Sequence, residues 1–249
     1  MEESRLVLGD AYELIKGIPD KSVDLIVTDP PYLLEGWHAG TGLFRDRDRL
    51  SGSYYEIEKN GLNKSIDMGA MLPELLRVMK SPNIYIWCNK EQIIDYLNFF
   101  VTEKGCNFEF IIWGKTNPTP FAGSHYLKDK EYCLYFWKNA KLYTSARTAK
   151  TVYLTKTNTE DKKRYGHPTI KPLTIIDNLI TNSSREGGIV LDPFMGSGTT
   201  CVSAKQLGRR YIGFEVNEGY YRIAKARVDG TSQIKRLSDG TQIEQGTLF

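Results

Sequence analysis

Asp29-Pro30-Pro31-Tyr32 places a carboxylate, two rigid peptide units and an aromatic ring side by side. The apolar run at residues 24–27 predicts a buried strand that ends just before this tetrapeptide, at an edge of a sheet. Each proline holds the residue before it in extended backbone, so the Asp29 carboxylate and the Pro30 carbonyl form a stiff pair of acceptors. The tetrapeptide therefore predicts a site that grips a planar ring bearing an NH2 group. The plainer alternative is a turn in which the aspartate caps a helix.

A second segment, residues 192–200, reads DPFMGSGTT and follows another apolar run at residues 189–191. It opens a predicted helix, and its glycines allow the backbone to approach a ligand closely. A dinucleotide-binding loop is an alternative, but the third glycine of the GxGxxG pattern is missing after Gly198. A phosphate-binding P-loop would need a lysine that this segment lacks.

Together, and in this order along the chain, the two segments resemble the motifs of the beta class of DNA amino-methyltransferases. Residues 167–172, HPTIKP, are similar to the HPTxKP segment of the same class. The resemblance implies transfer of a methyl group from S-adenosylmethionine to an amino group of a base in double-stranded DNA. It implies a catalytic set of Asp29, Pro30, Pro31 and Tyr32. It implies a cofactor-binding set of Asp10, Ala11, Thr169, Lys171, Asp192, Phe194, Gly196, Ser197, Gly198, Thr199 and Glu215.

The roles of single residues also follow from the resemblance. Tyr32 would stack on a base turned out of the duplex, because the amine cannot be reached inside it. Glu215 would accept both ribose hydroxyls of the cofactor, and Asp10 would contact the cofactor adenine. Capping of a helix is the alternative role for Asp10. Thr169 and Lys171 would meet the methionine carboxylate in charge-assisted contacts.

Adenine N6 is the expected target, because family usage places Asp before Pro-Pro-Tyr mostly in adenine enzymes and Ser there mostly in cytosine enzymes. Transfer to cytosine N4 is the nearest alternative, since it shares the mechanism and the order of motifs. A DNA-binding module that keeps only the fold, a nicotinamide-dependent dehydrogenase and an RNA substrate are further alternatives. Intact Asp29, Tyr32, Gly196 and Glu215 favour an enzyme over the binding module.

Strands alternate with helices along the chain, which predicts an α/β fold with a doubly wound, mostly parallel sheet. Asp10, Asp29, Asp192 and Glu215 each follow a predicted strand, where ligands of such sheets bind. The resemblance implies a Rossmann-like S-adenosylmethionine-dependent methyltransferase sheet. This sheet would have seven strands, the last pair forming a hairpin, and a circularly permuted order of motifs.

Two further groups of elements are predicted. Aromatic-rich strands at residues 108–113 and 132–137 are expected to form an antiparallel pair at the edge of the sheet. Residues 92–104 are expected to form one helix, which Gly105 closes.

We expect one methyltransferase domain over residues 1–230 with two insertions. Residues 33–66 would form a mobile loop that carries aromatic side chains. Residues 138–166 would form an irregular target-recognition segment, since eight Lys and Arg face only two acids between Lys138 and Arg164. A solvated basic loop is the alternative for this segment.

The polar tail at residues 231–249 is expected to be disordered. It ends in QGTLF, and the pattern QxxLF resembles the peptide that bacterial proteins insert into the sliding clamp of the replication machinery. A leucine–phenylalanine pair would fill an apolar pocket there. A tail that packs on its own domain is the alternative.

Composition and cysteine spacing limit the class of protein that the sequence can encode. The 249 residues are 41% hydrophobic and 25% charged, which describes an ordinary globular protein without a membrane span or signal peptide. The four cysteines are scattered without metal-ligand spacing, so we expect reduced, packed thiols in a cytoplasmic protein and no metal site. A homodimer and a restriction-modification role fit the family, while the sequence leaves the recognition site open.

Overall fold

The computed structural model describes residues 4–32, 65–118, 126–145, 147–165 and 170–230. Its strands are β1 (Arg5–Leu8), β2 (Leu25–Thr28), β3 (Asn83–Cys88), β4 (Asn107–Lys115), β5 (Lys130–Trp137), β6 (Val152–Thr155), β7 (Ile189–Asp192) and β8 (Arg210–Glu215). Its α-helices are α1 (Ala11–Leu14), α2 (Met68–Val78), α3 (Ile93–Leu97), α4 (Thr159–Tyr165), α5 (Leu173–Ser183), α6 (Thr199–Gln206) and α7 (Glu218–Asp229). A 3₁₀ turn (Ile15–Gly17) extends α1, and a π-helix (Asn98–Glu103) extends α3.

The described strands form one sheet in the order β1-β8-β7-β2-β3-β5-β4-β6. Within it, β5 pairs antiparallel with both β3 and β4, and the other neighbouring pairs are parallel. The mostly parallel α/β sheet is therefore confirmed, although it has eight described strands instead of seven. The aromatic-rich pair β4–β5 is antiparallel as predicted, but β6 pairs with β4 and takes the edge position.

Both faces of the central strands β2, β3 and β7 are buried, because their side chains alternate between two cores. Ile26 and Ile84 point into a core that contains α1, α2 and the π-helix. Leu25 and Tyr85, one position away on the same strands, point into a second core with α5 and α6. The result is a three-layer α/β/α arrangement in which the strand ends, and not the faces, are available to a ligand.

Two predicted elements differ from the structure. The helix expected at residues 92–104 changes to a π-helix at Asn98, and this wider turn brings Phe100 onto the ring of Phe136 at 4.5 Å between centroids. The basic segment expected to be irregular contains β6 and α4. Its strand forms because Trp113 Nε1 donates to Thr155 Oγ1 at 2.7 Å and four residues pair with β4.

All four cysteines are buried, as the packing prediction required. Among the described residues, none of the helices combines the length and the apolar character needed to cross a membrane. The predicted tail, the loop at residues 33–64, Thr169 and the histidine of the HPTIKP segment lie outside the described residues.

Candidate active site

A cleft of about 250 Å³ opens at the carboxyl ends of β1, β2, β7 and β8. These four strands are neighbours in the sheet and run parallel, so their ends meet at one edge. Eleven of the predicted site residues line it: Asp10, Ala11, Asp29, Pro31, Lys171, Asp192, Phe194, Gly196, Ser197, Thr199 and Glu215. Pro30 is buried behind the cleft, and Tyr32 and Gly198 lie beside it without lining it.

The glycine loop turns from β7 into α6 with two residues in the left-handed region. Gly196 has φ +51° and Gly198 has φ +77°, conformations that side chains with a Cβ rarely adopt. A Cβ at Gly198 would lie 2.8 Å from the Cβ of Ala224 in α7. Gly198 therefore allows α7 to pack against the loop, while Gly196 shapes the part that faces the cleft.

Arg227 of α7 holds this loop by hydrogen bonds. Its guanidinium donates to the carbonyl oxygen and the Oγ of Ser197 at 2.6 and 2.9 Å, and to Thr199 Oγ1 at 3.1 Å. The same group lies 4.6 Å from the ring centre of Tyr165 in α4. Sequence reasoning missed Arg227, because nothing in the spacing along the chain links residue 227 to the loop.

Glu215 ends β8 and is held by backbone donors. Its carboxylate accepts from Gly196 N at 3.0 Å and from Asn217 N at 2.8 Å. Burial raises the pKa of Glu215, and the backbone hydrogen bonds oppose this effect. The carboxylate is thus fixed at the cleft wall with lone pairs left for a ligand hydroxyl.

Asp10 has the capping role considered for it, and its contact with the cofactor adenine stays a prediction. Its side chain caps α1 by accepting from Tyr12 N at 2.7 Å, and it lines the cleft. Tyr12 lines the cleft as well, and its hydroxyl accepts from Asp67 N at 2.7 Å where α2 begins. The cap therefore fixes the Asp10 carboxylate at the opening of the cleft.

Asp192 is the most deeply buried carboxyl group of the site, with 4% of the residue exposed. One of its oxygens accepts from Thr28 Oγ1 at 2.9 Å and from Phe194 N at 3.2 Å. Burial raises the pKa of Asp192 to about 7, against hydrogen bonds from Thr28, Thr200 and Phe194 that lower it. These hydrogen bonds join Thr28, at the end of β2, to Phe194 at the start of the glycine loop.

Both oxygens of Asp29 are engaged. The Tyr32 hydroxyl donates to Oδ1 at 2.7 Å, and the Lys171 ammonium contacts Oδ2. Burial, followed by the negative charges of Asp29 and Glu131, raises the pKa of the Tyr32 phenol, which therefore stays a donor. The carboxylate is held in one orientation at the end of β2.

Lys171 lies between two carboxylates, Asp29 and Glu131, with 7% of its side chain exposed. Burial alone would lower the pKa of Lys171, but the two carboxylates outweigh burial and raise it. Burial alone would raise the pKa of Glu131, but Lys171 and Lys115 bring it to about 2. Lys171 and Glu131 are therefore both charged at neutral pH.

The structure thus brings eleven of the predicted catalytic and cofactor residues to one cleft and adds partners that the sequence did not reveal. Glu131, Lys115 and Trp87 come from the strands beyond β2, and no motif marks them. In the described ranges, no group of three or more His, Cys, Asp or Glu side chains is arranged to hold a metal ion.

A protein family and a known relative both match most of this chain. Residues 23–226 match the N6_N4_Mtase family, which is described as DNA methylase. The type II methyltransferase M2.LlaDCHI of Lactococcus lactis subsp. cremoris is 30% identical over 246 residues, which cover 92% of this chain and 90% of that protein.

Two solved structures extend the comparison to three dimensions. The M1.HpyAVI–SAM complex superposes with a TM-score of 0.66 at 26% identity, covering 90% of this chain and 98% of that one. A cytosine-N4-specific enzyme, PvuII DNA methyltransferase, superposes with a TM-score of 0.67 over 91% of this chain and 86% of its own, at 16% identity. The second likeness is one of fold alone.

Proposed function

The chain belongs to the N6_N4_Mtase family of DNA methylases, and on this premise we propose that it methylates the N6 amino group of adenine in double-stranded DNA. One observation carries the proposal: Asp29, the predicted acceptor for the amine, lines the same cleft as Asp10, Glu215 and the glycine loop. The substrate amine and the methyl donor can therefore be bound side by side, which is what direct transfer requires.

S-adenosylmethionine is the cofactor of this family, and one of the solved relatives is a complex with it. The cleft fits it: the Glu215 carboxylate lines the cleft as an acceptor for ribose hydroxyls, and Asp10 lines it at the end of the neighbouring strand β1. The backbone at Gly196 supplies close approach without a side chain. When bound, the cofactor supplies a methyl group on a positively charged sulfur.

Asp29 is proposed to orient the amine. An exocyclic amine shares its lone pair with the aromatic ring, and an acceptor on its N–H bond weakens this sharing. Tyr32 occupies the Oδ1 atom of Asp29 in the structure, so an incoming amine takes the place of the phenol hydroxyl. The Tyr32 ring is then free to stack on the base.

Adenine is favoured over cytosine by the aspartate that precedes Pro-Pro-Tyr, as in the adenine enzymes that this motif resembles. The test incubates the protein with methyl-labelled cofactor and unmethylated duplex DNA, digests the DNA to nucleosides and identifies the labelled product. We expect N6-methyladenine. N4-methylcytosine would reverse the assignment of the base, and label in a parallel RNA sample alone would reverse that of the nucleic acid.

The DNA-contacting surface is proposed to include residues 138–166, assisted by residues 33–66. Support comes from the described part of the basic segment, where six cations are exposed: Lys138, Lys141, Arg147, Lys150, Lys156 and Arg164. Exposed cations of this kind contact phosphates and position the duplex, while base contacts specify the sequence.

Three further expectations stay proposals. The relatives named as type II methyltransferases support a restriction-modification role in the cytoplasm. A homodimer is proposed from the family resemblance, and size-exclusion chromatography with light scattering tests it. Docking of the terminal QxxLF peptide on a sliding clamp is tested by a pull-down that compares the intact chain with one ending at residue 247.

A further inference from the structure

We propose that Glu131 is a positioning residue for methyl transfer, which holds the Lys171 ammonium against the Asp29 carboxylate. The inference rests on the proposed function, because it assumes that Asp29 receives the substrate amine. Neither the motifs nor the family match assigns a role to Glu131. Its place in the sheet and its two ion pairs carry the argument.

The reversed direction of β5 brings Glu131 to the site. Since β5 is antiparallel to β3 and β4, its first residues lie at the edge where the parallel strands end. Glu131, the second residue of β5, pairs with Trp113 of β4, two positions before Lys115. A parallel strand in this place would carry residue 131 to the opposite edge, away from Asp29.

Both oxygens of Glu131 hold an ammonium group. Oε1 accepts from Lys115 Nζ at 2.6 Å, and Oε2 lies 3.1 Å from Lys171 Nζ. Lys171 has 7% of its side chain exposed, so a missing partner would not be replaced freely by water. Glu131 thus fixes Lys171 from the side opposite to Asp29.

Charge balance gives this arrangement a consequence for the reaction. In the transfer, the nitrogen lone pair forms the N–C bond, the C–S electron pair returns to sulfur, and an N–H proton is released to solvent. Positive charge therefore develops on the nitrogen beside Asp29. The four groups Asp29, Lys171, Glu131 and Lys115 carry two negative and two positive charges. Loss of the Glu131 charge leaves a net positive cluster next to that nitrogen and destabilises the transition state.

The test compares Glu131→Gln with the wild-type protein, using Glu109→Gln as the matched control. Glu109 is an exposed glutamate on the neighbouring strand β4, away from the cleft. We expect Glu131→Gln to lower kcat about tenfold or more, from the loss of one charge in a partly buried network. The dissociation constant of S-adenosylmethionine should stay within about twofold, because Glu131 does not line the cleft and Lys171 keeps its ion pair with Asp29. Glu109→Gln should match the wild type in both.

Glu131→Asp keeps the charge and separates positioning from folding. We expect it to recover a substantial part of the kcat that Glu131→Gln loses, with rates normalised to the fraction of protein that binds cofactor. Equal loss in both variants, or a Glu131→Gln kcat within twofold of wild type, overturns the inference. If Glu131→Gln does not fold, Glu131→Asp alone decides, because its shorter side chain keeps the charge but cannot reach Lys171 as closely. A kcat a few-fold below wild type with unchanged cofactor affinity supports the inference, and a kcat equal to wild type or as low as that of Asp29→Ala overturns it.

Asp29→Ala, measured in parallel, separates this inference from the proposed function. If Asp29→Ala keeps the wild-type kcat, the proposed function fails and the role of Glu131 fails with it. If Asp29→Ala is inactive while Glu131→Gln keeps the wild-type kcat, only the positioning role of Glu131 is overturned.

Discussion

The two sides of the cleft hold their charged groups by different means. On the side formed by β1, β8 and β7, carboxylates accept hydrogen bonds from backbone N–H groups and hydroxyls, as Glu215 does from Gly196. On the side formed by β2, β5 and β4, carboxylates face ammonium groups, with Lys171 between Asp29 and Glu131. The first side depends on loop conformation, and the second depends on the charge of individual side chains.

This difference fits what each side is proposed to bind. Cofactor hydroxyls are neutral and need fixed acceptors, which a backbone-held carboxylate provides. The substrate amine gains positive charge during the transfer, so its surroundings must be balanced in charge as well as placed in space. Substitutions on the first side should therefore change binding, and those on the second should change the rate.

Asp29→Ala, on the ion-paired side, is expected to cause the largest loss of activity. Loss of the acceptor for the amine should lower kcat by about 100-fold or more, on the order of 3 kcal/mol in the transition state. Lys171 keeps Glu131 as a partner, so the fold should persist. Single-turnover rates and circular dichroism check this, with Asp95→Ala, an exposed aspartate of α3, as the control. A kcat near that of wild type would remove Asp29 from catalysis.

On the backbone-held side, Glu215→Ala should weaken the binding of S-adenosylmethionine and leave the rate of transfer in the bound complex unchanged. A charge-assisted hydrogen bond contributes about 1.5–3 kcal/mol, so the dissociation constant of S-adenosylmethionine should rise about 10-fold to 150-fold. Titration calorimetry measures it, and DNA affinity should stay near wild type. Unchanged cofactor affinity would contradict the binding role of Glu215.

Asp192 tests whether burial on the backbone-held side has a cost that depends on pH. Its pKa is raised to about 7 by burial, so the folded protein holds a proton that the unfolded chain has released at pH 5–7. This contribution to stability is full below the unfolded pKa of about 3.9 and is lost as pH rises through 7. The free energy of unfolding of Asp192→Asn should therefore rise relative to wild type from pH 5 to 7.

Urea denaturation at pH 5, 6, 7 and 8 measures this difference, which should level off above about pH 7. Thr28→Val serves as a second variant, because it removes a donor that lowers the pKa of Asp192, so the loss of stability should continue to a higher pH than in wild type. A difference between Asp192→Asn and wild type that is constant across the range would contradict the assignment.

The smallest effect is expected on the basic segment, outside the residues that line the cleft. Lys150→Ala combined with Lys156→Ala should reduce the slope of log affinity for DNA against log salt by about 2, one for each phosphate contact. The matched control is Lys16→Ala with Lys90→Ala, two exposed lysines outside the segment. A slope equal to that of the control would move the DNA surface elsewhere.

Residues near the cleft were predictable to the extent that they follow strands. Asp10, Asp29, Asp192 and Glu215 come directly after apolar runs, and parallel strands bring such positions to one edge. Lys171 was predicted in the site, but its observed partners are Asp29 and Glu131; the methionine carboxylate stays a proposed contact. The sequence could not indicate these partners, because Asp29 is 142 residues from Lys171 and Glu131 comes to the site only through the reversed direction of β5.

Strand β6 and the π-helix were harder to predict, because they too depend on contacts between residues far apart in the chain. Strand β6 has only four residues within a basic segment, and its pairing with β4 depends on contacts such as Trp113 with Thr155. The π-helix after α3 is equally invisible in the pattern, because the apolar spacing fits an ordinary helix. Local periodicity reports burial, and not which distant strand supplies the partner.

The amino-acid sequence by itself determined the class of the fold, the family and the strand-end carboxylates, because apolar runs, prolines and glycines act over a few neighbouring residues. Only the tertiary structure decided that Glu131, at the start of the antiparallel strand β5, lies within ion-pair distance of Lys171. It also decided that Arg227 holds the glycine loop and that Asp192 is buried enough to shift its pKa. These features arise from the packing of residues far apart in the chain, where Coulomb energy and desolvation depend on three-dimensional distance.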